Sequence, residues 1–347
     1  AFFGMSTIYA EATLAQQYKV KKDGEVTGGP VYYIRAAFKG TFGKALAAIF
    51  AILIVLALGF TGNMVQSNSI GAAFSEVFSA RNIEIPSIVF GLILAAVIGF
   101  IFLGGVNRLA SVVEKIVPIM AGIYIVGSLV LILMNITVLP EAIKMIFVGA
   151  FNPEAVVGAG AGIAVREAIR FGVARGLFSN EAGMGSTPHA HARAKVENPH
   201  KQGLAAMISV FIDTFIILNL TVFSILTTGV LDSGKEGTAL TQAAFTKGFG
   251  NFGDIFVAVC LLFFAFSTIL GWHFFGEVNV KYLFGEKAAK FYSILVIGFV
   301  IVGSTLKVQL VWSLSDFFNG LMVIPNAIAL WALSGVVVKI CKQYGKK

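Results

Sequence analysis

Long runs of apolar side chains are the feature that most constrains this chain. They fall at approximately 45–75, 86–106, 112–134, 168–190, 203–229, 252–276, 288–305 and 308–338, divided by Gly, Pro or charged residues. A helix needs about 20 apolar residues to cross a hydrocarbon core of roughly 30 Å, and inside that core its backbone must satisfy itself. Each run therefore predicts a transmembrane helix, giving eight complete spans, the longest of them tilted or projecting beyond the core. Composition agrees: 57% of the 347 residues are hydrophobic and 13% charged, against about 25% charged in a soluble domain. The expected fold class is all-α, a polytopic membrane protein whose solvent is the lipid bilayer. The length leaves no room for a large extramembranous domain.

The chain opens on Ala1, Phe2, Phe3, Gly4 and Met5 without a basic region, and Glu11 follows. Residues 1 to about 18 thus read as part of a span cut inside a hydrophobic segment, not as a cleaved leader. The formal charge of +8 does not point to nucleic acid as a partner, because the bases sit between apolar runs instead of clustering on one face. Cys260 lies inside an apolar run and Cys341 near a basic tail, a pattern that suggests neither a disulfide framework nor a metal knuckle.

Alternate loops differ sharply in charge. One set carries Lys19, Lys21, Lys22, Arg35, Lys39 and Lys44, then Arg108 and Lys115, then Arg193, Lys195 and Lys201, then Lys281, Lys287 and Lys290, then Lys339, Lys342, Lys346 and Lys347. The other has only Arg81, Lys144, Lys235, Lys247 and Lys307, apart from Arg166, Arg170 and Arg175 entering a span. Because cytoplasmic loops retain Lys and Arg, the 19–44 loop and the C-terminus are expected in the cytoplasm of a multi-pass plasma-membrane protein. Residues 135–167, with Pro140, Pro153 and small residues from Gly158 to Ala164, suit an extracellular hairpin or interfacial helix, as do 238–250. Plain connecting loops fit both equally well.

The segment from Arg175 to Pro188 is the most informative. Gly176, Gly183, Gly185 and Pro188 weaken helical continuity, while Ser179, Asn180, Glu181 and Ser186 can satisfy freed backbone groups or a ligand. A broken helix offers an N-terminus that favours a carboxylate and unwound carbonyls that hold a cation. A kinked helix packed tightly through its glycines would show the same spacing.

Two further spans carry polar groups. Ser267 and Thr268 can give hard oxygen ligands to a small cation, and Trp272, one turn on, can wall an apolar pocket; hydroxyls bonding back to their own helix are the simpler reading. Thr61, Asn63, Gln66 and Asn68 form a polar island, in which Gln66 can read an ammonium or carboxylate or all four can make interhelical hydrogen bonds. The intramembrane charges Glu11, Arg175, Glu181, Asp213 and Asp316 need partners or water. Arg175 suits a carboxylate partner, Asp213 and Asn219 suit a cation, and Glu11 and Asp316 suit static pairing. His189 and His191 stand two apart with no completing ligand, and suit a cytoplasmic helix end better than a metal. No catalytic triad or phosphate loop stands out, so an enzyme and an organic cofactor are not expected.

Gly28-Gly-Pro-Val-Tyr-Tyr-Ile34, Gly176-Leu-Phe-Ser-Asn-Glu-Ala-Gly-Met-Gly-Ser186 and Phe266-Ser-Thr-Ile-Leu-Gly-Trp272 resemble the alanine or glycine:cation symporter family, and the similarity covers nearly the whole chain. The resemblance implies a leucine-transporter-like 5+5 inverted repeat with a midplane site between its first and sixth helices. On that numbering the chain lacks the first helix and part of the second. Residues 1–134 run from the end of helix two to helix five, 135–167 form the extracellular connection, 168–338 hold helices six to ten, and 339–347 are a cytoplasmic tail, all one transporter domain.

The same resemblance implies Gln66, Phe178, Asn180, Met184, Thr268 and Trp272 as substrate-pocket residues. It implies Ser267 and Thr268 as sodium ligands, with Ser179 and Asn219 at another cation site. Large side chains at Phe178, Met184 and Trp272 would leave room for alanine or glycine and not for leucine. Since the first helix supplies half of such a site, that half must be restored before transport is tested. The expected function is Na⁺-coupled symport of a small neutral amino acid into the cell; a channel or a non-transporting amino-acid sensor on the same fold is the alternative.

Overall fold

The computed structural model describes residues 1–22, 24–102, 104–151 and 161–345. Its first helix, α1 (Phe2–Gln17), leads into an antiparallel hairpin, β1 (Val20–Lys22) and β2 (Glu25–Thr27), with Lys21 opposite Val26. The 19–44 loop is therefore structured, which its polar composition did not announce. Gly29, at φ +125°, turns the chain into α2 (Pro30–Ala37), and Pro30 occupies a helix start where its missing N–H costs nothing.

The first long span is α3 (Gly40–Ile54), a π-helical stretch Val55–Gly62, and α4 (Asn63–Ser79). Then come α5 (Ser87–Phe102), α6 (Gly105–Met134), α7 (Leu139–Phe151) and α8 (Ala161–Asn180). After a break follow α9 (Pro188–Arg193), α10 (Pro199–Phe211), a second π-helical stretch Ile212–Ile217, α11 (Leu218–Thr228) and α12 (Gly237–Phe249). The chain closes with α13 (Gly253–Phe284), α14 (Glu286–Thr305), α15 (Val308–Ala332) and α16 (Ser334–Tyr344).

Among the described residues six helical stretches are long and apolar enough to cross a membrane: 40–79, 111–134, 199–228, 237–284, 286–305 and 308–332. The chain is an all-α polytopic membrane protein. Of the eight complete spans expected, α5 is apolar but only 16 residues long. The run read at 168–190 begins earlier, at Ala161, carries Arg166, Glu167, Arg170 and Arg175, and stops at Asn180. The last run divides at Leu333 into α15 and α16. Residues 238–250 are largely helical, as α12, and so is part of 135–167, as α7; Pro153 and Gly158 lie outside the described residues.

Apolar side chains face outward in stripes. Ile119, Val126 and Leu133 on α6 are 64%, 61% and 63% exposed, and Phe291 and Ile294 on α14 are 64% and 66% exposed. A water-soluble surface would not hold such stripes on successive helices; a lipid-facing one requires them. Inside, one cluster joins Phe50, Ile54 and Leu58 to Ile269, Leu270 and Trp272 of α13, Val296 and Val300 of α14, and Met322 of α15.

Glycines set the closest helix approaches, because lipid offers no hydrophobic drive and packing must supply the attraction. A Cβ on Gly203 of α10 would stand 2.5 Å from Tyr9 and 2.6 Å from Thr13 of α1. In the π-helical stretch, a Cβ on Gly62 would stand 2.7 Å from the Trp272 ring, and one on Gly59 2.5 Å from the Tyr292 hydroxyl. That stretch thus presses its wide turn closely against Trp272 of α13 and Tyr292 of α14.

Candidate functional site

Helix α8 ends where the sequence runs into Glu-Ala-Gly-Met-Gly. Glu181 has φ +55°, Gly183 +95° and Gly185 +79°. The glycines take that left-handed backbone readily, while for Glu181 it costs about 1–3 kcal/mol, strain of a kind that gathers at functional sites. Asn180 closes the helix by accepting the Ala182 N–H at 3.0 Å. The break is real and spans 181–187.

The freed amides meet a carboxylate of the protein itself. Glu11 of α1, fully buried, accepts from Gly183 N–H at 2.9 Å and Gly185 N–H at 2.8 Å. Its Oε1 also accepts from Asn326 Nδ2 at 2.6 Å; that amide donates to Gly183 O at 2.9 Å, and Tyr33 donates to Asn326 Oδ1 at 2.5 Å. The static partners expected for Glu11 are thus neutral N–H donors. The donors expected to greet a substrate carboxylate here are engaged by Glu11.

From the opposite side the break is held by α13. Glu181 Oε1 accepts the Trp272 indole N–H at 2.7 Å, and Oε2 accepts the Ser186 hydroxyl. His189 continues the chain, with Nδ1 2.7 Å from Ser186 O and Nε2 2.8 Å from Asn279 Nδ2. His191 lies 2.7 Å from Gln202 instead, so the two imidazoles serve separate contacts. No ion pair reaches Glu11 or Glu181 among the described residues.

The C-terminal part of α8 is pinned by charge. Arg175 makes a two-pronged ion pair with Asp316 of α15, at 2.6 and 2.9 Å, and its guanidinium lies 4.0 Å from the Trp312 ring. Trp312 meets Phe178 at 4.8 Å between centroids, and Phe178 meets Trp272 edge-on at 5.3 Å. The carboxylate partner expected for Arg175 is thus Asp316. One turn on, Ser179 donates to both oxygens of Asp213, at 3.0 and 2.9 Å, and Asn180 Nδ2 reaches Thr214 Oγ1 at 3.5 Å. The second π-helical stretch, which contains Asp213 and Thr214, therefore meets the end of α8.

Of the residues singled out from sequence, Phe178, Asn180 and Trp272 gather at the break, with Met184 buried in the same core cluster as Trp272. Phe178 and Met184 also line a groove of about 420 Å³ between α8 and α15, together with Asp316 and Asn319. Gln66 is half-buried on α4 with no hydrogen-bond partner among the described residues. Its neighbours in the polar island are engaged: Asn68 donates to Gly303 O and Leu306 O at 2.9 and 2.7 Å, while Thr61 and Asn63 bond back to their own helix.

The cation candidates are less united. Ser267 and Thr268 each donate to Phe264 O at 2.9 Å, and Ser267 also turns to Met120 of α6. Asn219 donates to Thr214 O and Phe215 O within its own helix, while Ser179 donates to Asp213. Sequence reasoning passed over Tyr33 and Asn326. The latter, an amide beside Pro325 in an otherwise apolar span, was a visible sign of an internal polar contact.

A family model described as the sodium:alanine symporter family matches residues 1–347. The amino-acid carrier protein AlsT of Bacillus subtilis is 41% identical over 100% of this chain and 72% of its own length. The sodium/alanine symporter AgcS of Methanococcus maripaludis is 39% identical over 100% of this chain and 76% of its own. The probable sodium/glutamine symporter GlnT of Bacillus subtilis is 40% identical over 100% of this chain and 70% of its own.

Proposed function

We propose, for a chain that belongs to the sodium:alanine symporter family, inward symport of Na⁺ with a small neutral amino acid, alanine or glycine. The observation that carries the reading is the pair of carboxylates, Glu11 and Glu181, that flank the broken helix without a basic partner among the described residues. A buried carboxylate with no basic partner is neutralised by a proton or by a mobile cation, and the symport reading takes that cation to be Na⁺. Such a cation stabilises the assembled break and is carried with the substrate as the helices rock, drawing on about 2.3 kcal/mol per charge per 100 mV.

The fold that fits this cycle is the 5+5 inverted repeat, with α1 as the end of its second helix, α8 and α9 as the broken sixth, and α13 as the eighth. Residues 1–134 and 168–338 then belong to the two repeats, 135–167 to the outer connection and 339–347 to the tail. The Lys- and Arg-rich 19–44 loop and the C-terminus face the cytoplasm. Phe178, Asn180, Met184, Gln66 and Trp272 form the substrate pocket, Thr268 is shared between substrate and Na⁺, Ser267 is a further Na⁺ ligand, and Ser179 and Asn219 serve a second cation. No covalent step is needed.

Glutamine is a second substrate reading, favoured by the likeness to a probable sodium/glutamine symporter. One assay decides: uptake of labelled alanine, glycine and glutamine by the full-length protein in proteoliposomes, under an inward Na⁺ gradient and with Na⁺ replaced by K⁺. Na⁺-dependent accumulation of alanine or glycine supports the proposal. Accumulation of glutamine alone replaces the substrate, accumulation without Na⁺ removes the coupling ion, and substrate-independent unitary current would identify a channel.

A further inference from the structure

A cavity of about 240 Å³ lies between the β1–β2 hairpin and the far end of α13, apart from the groove beside α8. Acids and bases share its walls: Lys22 and Glu25 come from the hairpin, Arg193 from the end of α9, and Glu277 and Lys281 from α13. Arg193 donates to Glu25 at 3.2 Å and lies 5.7 Å above the Phe274 ring. Lys281 donates to Glu277 at 3.0 Å and to Glu286 at 3.1 Å. The Arg193–Glu25 pair is partly exposed, at 30% and 57%, so it is weak and can exchange partners; Glu277 is 15% exposed, stands 3.8 Å from His273 Nδ1, and pairs with a Lys281 that is shared with Glu286.

The position is as telling as the charge. Glu277 stands five residues beyond Trp272 on one continuous helix, about 8 Å along the axis. Arg193 closes the half-helix that begins just past the break. The cavity therefore lies on the hairpin side of the break, along the same two elements that hold Trp272 and follow Glu181. Its volume falls below the roughly 300–1,000 Å³ of pockets for drug-sized ligands, which suits a ligand of few atoms.

We propose that this cavity is a second binding site, for a zwitterionic α-amino acid passing between Trp272 and the hairpin face. Arg193 exchanges Glu25 for the substrate carboxylate, which its planar fork can hold two-pronged, and Glu277 exchanges Lys281 for the substrate ammonium. The proposal rests on the symport reading for the identity of its ligand, and on the orientation given there for calling the hairpin face cytoplasmic.

The test uses the full-length protein in proteoliposomes and measures the half-saturating alanine concentration separately at each face. In Arg193→Gln and in Glu277→Gln it is expected to rise about five-fold at the hairpin face and to stay unchanged at the other, since a partly exposed charge pair is worth a few-fold in affinity. Arg193→Lys is expected to recover part of the loss. An unaltered value at the hairpin face in both variants overturns the proposal, while the unaltered outer face reports a folded protein. Labelled-alanine binding to the solubilised protein needs no transport: two affinities, the weaker lost in Arg193→Gln, support the site, and a single class of site in the wild type overturns it. Failure of Na⁺-driven uptake in the wild type would count against the symport reading and leaves this binding measurement to decide.

Discussion

The indole N–H of Trp272 donates to Glu181 at 2.7 Å, so the side chain expected to wall the substrate pocket is oriented from the helix break and not from its own helix. Ring and carboxylate belong to α13 and to the break after α8. In the proposed transport cycle their hydrogen bond would tie pocket shape to the state of the break.

Substitutions at Trp272 can separate these roles. Trp272→Phe keeps an aromatic wall and removes the donor; a hydrogen bond to a charged group contributes about 1.5–3 kcal/mol, so Na⁺-driven alanine uptake should fall by about ten-fold or more with alanine still preferred to leucine. Trp272→Ala should instead admit leucine. Competition between labelled alanine and unlabelled leucine reads both, and a Trp272→Ala protein that still rejects leucine removes Trp272 from the pocket.

Glu11 should matter to stability as well as to transport. Glu11→Ala strips the acceptor from Gly183 N–H, Gly185 N–H and one Asn326 N–H, and each buried donor left unpaired costs about 1–3 kcal/mol. The melting temperature of the solubilised protein should drop clearly. Glu11→Gln retains one acceptor oxygen and should fall between that variant and the wild type. Equal melting in all three would mean that water takes over these amides at no cost.

Thr268 gives its hydroxyl hydrogen to Phe264 O, and Ser267 has Phe264 O and Met120 S as alternative acceptors, which leaves oxygen lone pairs on both for a cation. Thr268→Ala should raise the Na⁺ concentration that half-saturates uptake, and Ser267→Ala should do so less, because Ser267 turns toward Met120. A sodium titration unchanged by Thr268→Ala would return that hydroxyl to a purely structural role.

Gly62 offers a check on packing. A methyl at this position would sit 2.7 Å from the Trp272 ring, and overpacking of this kind costs about 1–3 kcal/mol. Gly62→Ala should push the indole away from Glu181 and reproduce the uptake defect of Trp272→Phe. Wild-type uptake would show that the ring can shift without losing its partner.

The all-helical membrane architecture was legible because hydropathy and length act locally: a long apolar run has few other fates. The break at Glu181 was legible for the same reason, since Gly183 and Gly185 mark backbone that an L side chain resists. What filled the break was not. Glu11 and Asn326 stand 315 residues apart in sequence, and only the tertiary fold sets both against Gly183. Likewise the sequence set Gln66 apart in the polar island of Thr61, Asn63, Gln66 and Asn68 but left interhelical bonding open to all four; packing against α14 engages Asn68, while Gln66 has no hydrogen-bond partner among the described residues. The hairpin at 20–27 escaped notice because two strands of three residues carry almost no periodic signal.

Because Gly183 and Gly185 give their N–H groups to a buried carboxylate on another helix, those two hydrogens can trade with solvent deuterium only when α1 draws back from the break. The molecule therefore carries a clock at its centre. The exchange rate of these amides counts how often the junction parts, and its change with Na⁺ would time the cycle from inside the protein without any label on the cargo.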